Sequence, residues 1–276
     1  MRFSIVTPSF RNSNWLKLCI ASVADQGMAV EHIVQDAGSD DGTLDWLVRD
    51  SRVLACVEKD LGMYDGINRG FRKARGDILA YLNCDEQYLP GALAAVDNFF
   101  EHHPGIDVLF GDFVVVDGQG DYLFHRKVQT PLKYHTWVGH LPTFTCATFF
   151  RRKLMAKDGL YFDPKLRDVG DGEWVLRLLQ RRVPMAVLRR FTSAFAMTGA
   201  NMSARPNARR EAQELFDSAP AWARKLKWML VLQHRMRRLA GGIYFQKPFS
   251  YALYTQSSPD KRVVHQVTRP NFRWRS

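Results

Sequence analysis

Short apolar runs alternate with longer amphipathic segments over about the first 100 residues of this 276-residue chain, and each apolar run ends in a polar loop. Phe3 to Val6 reads as a buried strand stopped by Thr7-Pro8-Ser9. Asn14 then caps a helix through Trp15, Leu16, Leu18, Cys19, Ile20 and Val23. Glu31 to Asp36, Val53 to Glu58 and Asp77 to Leu82 read as three more strands. Between them lie a helix through Leu44, Trp46 and Leu47 and a second from Tyr64 to Arg75. This order predicts an α/β fold, with a mostly parallel central sheet flanked by crossover helices. In such sheets ligands sit at the carboxyl ends of the strands. The polar loops fall there: Thr7 to Ser9, Asp36 to Thr43, Glu58 to Gly62 and Asn83 to Glu86. Further on, 107–116 and 121–128 read as a strand pair around Asp117-Gly118-Gln119-Gly120. A helix from Glu173 to Leu179 and a strand from Val183 to Leu188 follow.

The proportions of hydrophobic residues, 46%, and of charged residues, 24%, exclude a disordered or collagenous chain. Cys19, Cys56, Cys84 and Cys146 form no CxxC pair, which excludes a zinc ribbon or thioredoxin-type motif and fits a reducing compartment. The net charge of +11 is confined to one part of the chain. Residues 201–276 hold 15 Lys/Arg and 4 Asp/Glu, while residues 1–200 hold 24 of each. The chain therefore divides into a neutral body, 1–200, and a basic extension, 201–276. Within the extension, 221–240 has helical amphipathicity. Arg224, Lys227, Arg235 and Arg238 share one side. Trp222, Leu226, Trp228, Met229, Leu230, Leu232, Met236 and Leu239 fill most of the other, with Lys225 and Arg237 intruding. This pattern fits a helix lying in an anionic membrane surface and equally a helix packed on the body with a solvated basic face.

Nucleic acid is disfavoured as a partner. The segment from Arg262 to Arg275 mixes Arg with Phe272 and Trp274, which can stack on bases, but no binding motif accompanies it. The opening residues carry no secretory pattern, and no run approaches the ~20 apolar residues of a membrane span. The expected location is cytoplasmic, with the basic helix able to set the chain on the inner face of the cell membrane.

Three segments carry candidate chemistry. In Asn83-Cys84-Asp85-Glu86 the carboxylates at a strand end can hold a hard divalent cation through oxygen, or simply form a solvated turn. Asp36 with the Gly38–Gly42 loop can hydrogen-bond a base or ribose, or make a turn; it is neither GxxxxGK[ST] nor GxGxxG. Asp171 and Glu173 open an apolar helix. A carboxylate there can act as a base toward a hydroxyl, and Asp171 can also cap the helix. The eight histidines form no HExxH, and their one close pair is His102-His103. Ser9 and Ser39 lack a GxSxG context. These absences weigh against metallohydrolase and serine-hydrolase chemistry.

Taken in order and spacing, Ser4 to Phe10, Val34 to Thr43, Glu58 to Gly70, Ala74 to Asp77 and Leu82 to Glu86 resemble the family 2 glycosyltransferases. These are inverting enzymes of the GT-A fold, and the resemblance is to bacterial members that build cell-surface polysaccharides. A weaker match runs through Thr148-Phe149-Phe150-Arg151-Arg152 to Asp171-Gly172-Glu173. The resemblance implies a nucleotide-sugar-binding body, here with a C-terminal helical extension. It implies that Thr7, Pro8 and Ser9 line the nucleotide pocket and that Asp36 reads the base, most often uracil. Asp60, Asp65, Asn68, Asn83 and Cys84 would belong to the donor side. Asp85, as the last acid of a DxD-type motif, would bind Mn or Mg with the donor diphosphate, and Asp171 would be the catalytic base. The implied partners are a nucleotide-sugar, UDP-linked, and a hydroxyl of a glycan or lipid-linked saccharide. Two departures stand out. Asn83 replaces the first acid of the motif but keeps a carbonyl oxygen. Thr145-Cys146 stand where relatives often carry a His before the Ala-Thr-Phe-Phe run, with His140 nearby. The alternatives are a nucleotidyltransferase, which releases pyrophosphate, and a catalytically silent nucleotide-sugar or membrane-binding module.

Overall fold

The computed structural model describes residues 2–198 and 206–272. Trp274 and the division at residue 200 lie outside the described residues. The strands are β1 (Phe3–Ser9), β2 (Val30–Asp36), β3 (Leu54–Val57), β4 (Ile78–Tyr81), β5 (Glu86–Tyr88), β6 (Val108–Asp117), β7 (Tyr122–Arg126), β8 (Thr148–Arg151), β9 (Met185–Met197), β10 (Phe249–Thr255) and β11 (Ser258–Val267). The helices are α1 (Ser13–Ala24), α2 (Thr43–Leu47), α3 (Met63–Lys73), α4 (Ala92–His102), α5 (Lys133–Val138), α6 (Lys153–Ala156), α7 (Gly170–Gln180), α8 (Pro206–Asp217), α9 (Ala221–Lys225) and α10 (Lys227–Ala240).

Among the described residues, nine strands form one sheet in the order β3-β2-β1-β4-β8-β6-β9-β5, with β7 paired to β6. β3, β2, β1 and β4 run parallel, as the alternation predicts. β8 then enters antiparallel between β4 and β6, and β6 and β9 form a second parallel pair. The loops after Asp36, Val57 and Tyr81 do leave the carboxyl ends of adjacent parallel strands, whereas Thr7 to Ser9 form the last residues of β1 itself. The main core lies where β1, β4, β6 and β8 meet α3, α4 and α7, around Phe3, Ile5, Phe71, Leu79, Phe110, Phe150 and Trp174.

The structure corrects several expectations. β1 does not stop at Val6 but continues through Pro8 to Ser9. Pro8 is tolerated because the ladder to β4 has already ended at Val6↔Tyr81, so its missing N–H deprives no partner. Its carbonyl instead accepts the Cys84 thiol at 3.3 Å. Asn14 is not the cap of α1: the helix begins at Ser13 and Asn12 takes the cap position, with no side-chain cap bond. Asp171 likewise lies inside the first turn of α7, whose cap is Val169. In the extension the expected helix is broken at Leu226 into α9 and α10.

The extension also contains an antiparallel hairpin, β10–β11, absent from the sequence reading. Its Tyr251, Leu253 and Val267 close over Val114, Val116, Ala194 and Ala196. Arg262 of β11 makes a two-pronged bond to Asp25 at the end of α1, 2.6 Å to each oxygen. Gln87 of β5 exchanges two bonds with the Tyr254 backbone, at 2.8 and 2.9 Å.

Under the first loop, the buried His32 of β2 places Nε2 2.9 Å from the Thr7 hydroxyl. Burial pushes this imidazole down to about 3, so the native state holds it neutral. An unfolded histidine protonates near 6.5. The stability that follows is therefore present above pH ~6.5 and is lost as the pH falls toward 3. His32→Gln keeps a polar atom for Thr7 but cannot take a proton. Urea midpoints of the two proteins should converge as the pH is lowered from about 7 to about 4. Parallel pH profiles would refute the assignment.

Candidate active site

Asp36 ends β2 fully buried. Its Oδ1 accepts the backbone N–H groups of Gly38 and Ser39 at 2.9 and 2.7 Å, and Oδ2 accepts the Ser39 hydroxyl at 2.8 Å. Ser39 Oγ in turn accepts the Arg11 N–H at 2.8 Å, joining the first two strand-end loops. Asp36 thus shapes its loop as an Asx turn, in addition to standing where a base would be read. Thr7 turns its side chain inward to His32, and Cys84 packs with Leu16, Ile20, Val34 and Leu47. Burial pushes the Cys84 thiol up, so it is no nucleophile. The side chains of Thr7 and Cys84 are therefore engaged within the fold. Ser9 is buried with its hydroxyl within reach of the Cys84 thiol.

The turn after β4 separates the roles of its two acids. Glu86 accepts the Asn83 backbone N–H at 2.8 Å and the Asn83 side-chain amide at 3.2 Å, one on each oxygen. Burial, reinforced by the charge of Asp85, pushes Glu86 up to about 8. It is a brace. Asp85 accepts no hydrogen bond from another described residue, and burial pushes it up to about 6. The Asn83 carbonyl oxygen is buried without a partner. An unsatisfied buried carbonyl and a desolvated carboxylate in one turn form an all-oxygen donor set, which fits Mg or Mn. Asp85 and Asn83 Oδ1 are the residues that would hold the ion.

Asp60, Asp65 and Asn68 sit on and before α3. Asp60 Oδ1 accepts the Gly62 N–H at 2.9 Å, and burial raises its proton affinity. Asp65 accepts the Leu61 N–H at 3.0 Å and pairs with Arg69 at 2.9 Å, so its carboxylate is engaged. Asn68 points away from the strand ends. Its amide donates to the Phe162 carbonyl at 2.8 Å and accepts the Phe162 N–H at 3.0 Å. Asp65 and Asn68 thus fix the loop at 60–64 and the segment leading to α7.

Asp171 opens α7 with its carboxyl desolvated, which raises its proton affinity. Oδ1 accepts the Gly172 N–H at 2.8 Å and faces the Tyr64 hydroxyl at 3.5 Å, and that hydroxyl accepts the Asp171 N–H at 3.1 Å. Gly170 makes this approach possible: a Cβ there would stand 2.6 Å from the Tyr64 ring. Tyr81, Thr143, Thr145, Phe162 and Trp174 line the small cavity in front of Asp171. Glu173, the other acid, is paired with Arg177 at 2.6 Å. The charges of Asp85 and Asp171 both act on Glu86, and those of Asp85 and Asp36 both act on Cys84, so these acids share one edge of the sheet. His140 lies apart, against His135.

Two contributors had no sequence signal. Tyr64 lies inside a quoted motif but nothing in its spacing points to Asp171. Glu211 of α8, 3% exposed, accepts the backbone N–H groups of Arg167, Asp168 and Val169 at 2.9, 2.9 and 3.1 Å. A carboxylate from the extension thus binds the donors that precede α7, where the helix dipole favours negative charge.

A mixed α/β sheet with carboxylates gathered at the ends of its parallel strands is the architecture of the GT-A glycosyltransferases. S. aureus TarS, residues 1–349 in complex with UDP-GlcNAc, superposes with a TM-score of 0.64 at 18% identity, over 88% of this chain and 75% of that one. The mannosyltransferase PcManGT from Pyrobaculum calidifontis, in complex with GDP-Man and Mn2+, gives 0.57 at 14% identity, over 87% and 79%. Residues 4–160 match the model of glycosyl transferase family 2, and the chain belongs to that family. It is 32% identical over 120 residues to a PGL/p-HBAD biosynthesis glycosyltransferase of Mycobacterium tuberculosis, covering 41% of this chain and 47% of the relative. The chain thus spans about half the length of that relative. An uncharacterized glycosyltransferase of M. tuberculosis is 27% identical over 213 residues, 74% of this chain and 79% of the relative.

Removing the Glu211 carboxylate leaves three backbone donors without their acceptor. Glu211→Ala should lower unfolding free energy by about 1–3 kcal/mol and accelerate amide hydrogen exchange at 167–172. Glu211→Gln, which keeps one acceptor oxygen, should lie between. Unchanged exchange across 167–172 in Glu211→Ala would remove Glu211 as the anchor of α7.

Proposed function

We propose that the chain is an inverting, metal-dependent glycosyltransferase that moves a sugar from a UDP-linked donor to a hydroxyl of a glycan or lipid-linked saccharide, in cell-surface polysaccharide biosynthesis. One observation carries the reading: of the acids at the strand ends, Glu86 is a brace, while Asp85 and Asp171 keep oxygens free to act. The donor lies across the ends of β1, β2 and β4, with its base toward Asp36 and its diphosphate toward Asn83 and Asp85. A cation held there stabilises the charge that develops on the departing diphosphate. On the far side Asp171, its proton affinity raised by burial, takes the proton of the acceptor hydroxyl, a role worth ~10²–10⁴ in rate. Tyr64 fixes the carboxylate in its rotamer. A single displacement with one base inverts the anomeric centre and needs no nucleophilic carboxylate; a glycoside hydrolase needs two carboxylates flanking the bond.

In this reading residues 1–200 hold the donor and do the chemistry, while 201–276 align α7 and attach the enzyme to a membrane. Among the described residues no helix is long and apolar enough to cross a bilayer. The surface of α10 is inverted for a helix packed on a water-soluble body. His234 faces inward, while Trp228, Leu232 and Met236 are 65%, 52% and 57% exposed. Phe245, just beyond, is 72% exposed. Arg224, Lys225, Lys227 and Arg235 flank this stripe. An apolar stripe with basic flanks suits the inner, anionic face of a membrane.

Calorimetric titration with UDP, GDP and dTDP, each with and without Mn, tests the donor side. Mn-dependent binding of UDP is expected, and Asp171→Asn should keep that binding while abolishing transfer. Binding without turnover by the wild type with any sugar would leave a silent module, and release of pyrophosphate would indicate a nucleotidyltransferase. For the membrane side, the full chain should float with anionic vesicles but not with neutral ones, and Trp228→Ser/Leu232→Ser should release it. Equal flotation of that variant would remove α10 as the attachment face.

A further inference from the structure

His135 in α5, His140 just after it and His234 in α10 are remote in sequence but meet in the fold. One ligating nitrogen from each lies within 4.8 Å of the other two. The rings of His135 and His234 stack at 4.0 Å, and the His140 ring stands edge-on to both at 4.7 and 5.4 Å. His135 is 0% exposed and His234 3%, whereas His140 reaches solvent. Neither ring nitrogen of His135, nor Nε2 of His234, has a hydrogen-bond partner among the described residues. Leaving such buried polar groups unmatched costs about 1–3 kcal/mol each, so the cluster is an expensive arrangement unless something accepts its lone pairs.

We propose that His135, His140 and His234 form a three-nitrogen site for a divalent transition metal of the zinc class, open at its fourth position. Three imidazoles on a tetrahedral ion at ~2.0–2.1 Å stand about 3.3 Å from one another, so modest side-chain rotation closes the triad, most readily at the exposed His140. The surroundings select the kind of metal. The charges acting on the three rings are those of Arg126, Arg235, Arg237 and Arg238. Burial first, and these charges after it, favour the neutral rings that ligate, and the arginines oppose a hard cation held by charge alone. Imidazole suits zinc, copper or nickel, whereas Mg and Mn prefer oxygen. The same arginines favour an anion, such as hydroxide, carboxylate or phosphate, in the open position. This site is chemically distinct from the oxygen donors at Asn83 and Asp85, and it would bind the extension to α5.

Untagged full-length protein, stripped with a chelator, is titrated with zinc by calorimetry, with cobalt as a visible-absorption probe. One zinc per chain is expected, with the absorption of tetrahedral nitrogen-bound cobalt and a melting temperature that rises with zinc but not with magnesium. His140→Ala alters an exposed side chain, so its metal-free melt should match the wild type. Its zinc affinity should fall at least about tenfold. His234→Gln should do the same, and Asp85→Ala should leave zinc binding unchanged. Less than one zinc per chain, or binding that survives His140→Ala undiminished, would overturn the site. Zinc binding lost with Asp85→Ala instead would assign it to the strand-end acids.

Discussion

The closure of the turn after β4 by Glu86 is the interaction on which the site depends. A carboxyl group buried to 1% exposure is expensive to ionise, and two donors from Asn83 offset part of that. The result is geometric. Glu86 begins β5 and pairs antiparallel with Phe195 of β9, so the brace is fixed by the sheet. With both oxygens of Glu86 engaged, Asp85 is the acid of this turn left to meet a ligand. Had the first motif position been an acid rather than Asn83, two carboxylates would face Glu86 in place of an amide that donates to it. The amide trades one unit of charge at the site for a turn that closes without repulsion.

The second dependence runs through the extension. Glu211 holds the backbone just before α7, Asn207 reaches Asp168 at 2.7 Å, and Tyr64 meets Asp171 from α3. The expected base is therefore set by three separated parts of the chain. The hairpin acts on the other half: Gln87, next to Glu86, is tied to Tyr254, and Asp25 to Arg262. A division at residue 200 by charge thus does not coincide with a division in what positions the chemistry.

The parallel half of the sheet was legible because each strand is an apolar run bounded by turn residues, and periodicity reports burial directly. The strand-end acids were legible through the ordered motifs. Spacing alone does not say which oxygen is engaged within the fold, as Asp65 and Asn68 illustrate. An Asn that clamps the Phe162 backbone 94 residues away looks, in sequence, like an Asn that binds a ligand. The hairpin is hard to read although Phe249, Tyr251 and Leu253 alternate at period two, because Ala252 and Tyr254 on the other face are apolar as well and blur the alternation. Glu211 and the three histidines had no signal, since their partners are set by tertiary contacts.

The orientation of α9 and α10 follows from what the body offers them. α5 presents His135 and the Trp137 indole, which donates to Ser218 at 2.9 Å, and Arg237 reaches the Thr130 carbonyl at 3.4 Å. A helix docked on such polar groups must turn its own polar residues inward, and it does so with His234, Arg237 and Arg238. Of its apolar residues, Leu230 packs against the cluster of Val138, Ala219 and Ala223, while Trp228, Met229, Leu232, Met236 and Leu239 lie mainly outside. Full burial of a large apolar side chain is worth about 1.5–3 kcal/mol, and Trp228, Met229, Leu232, Met236 and Leu239 partly forgo it on folding. Being only about half exposed, together they leave roughly 4–8 kcal/mol of hydrophobic free energy uncollected by the fold. A basic face beside that stripe opposes self-association through like-charge repulsion but is attracted to an anionic surface. The polar interior contact and the apolar exterior are one arrangement: with His234 facing inward against His135, the apolar stripe of α10 faces out.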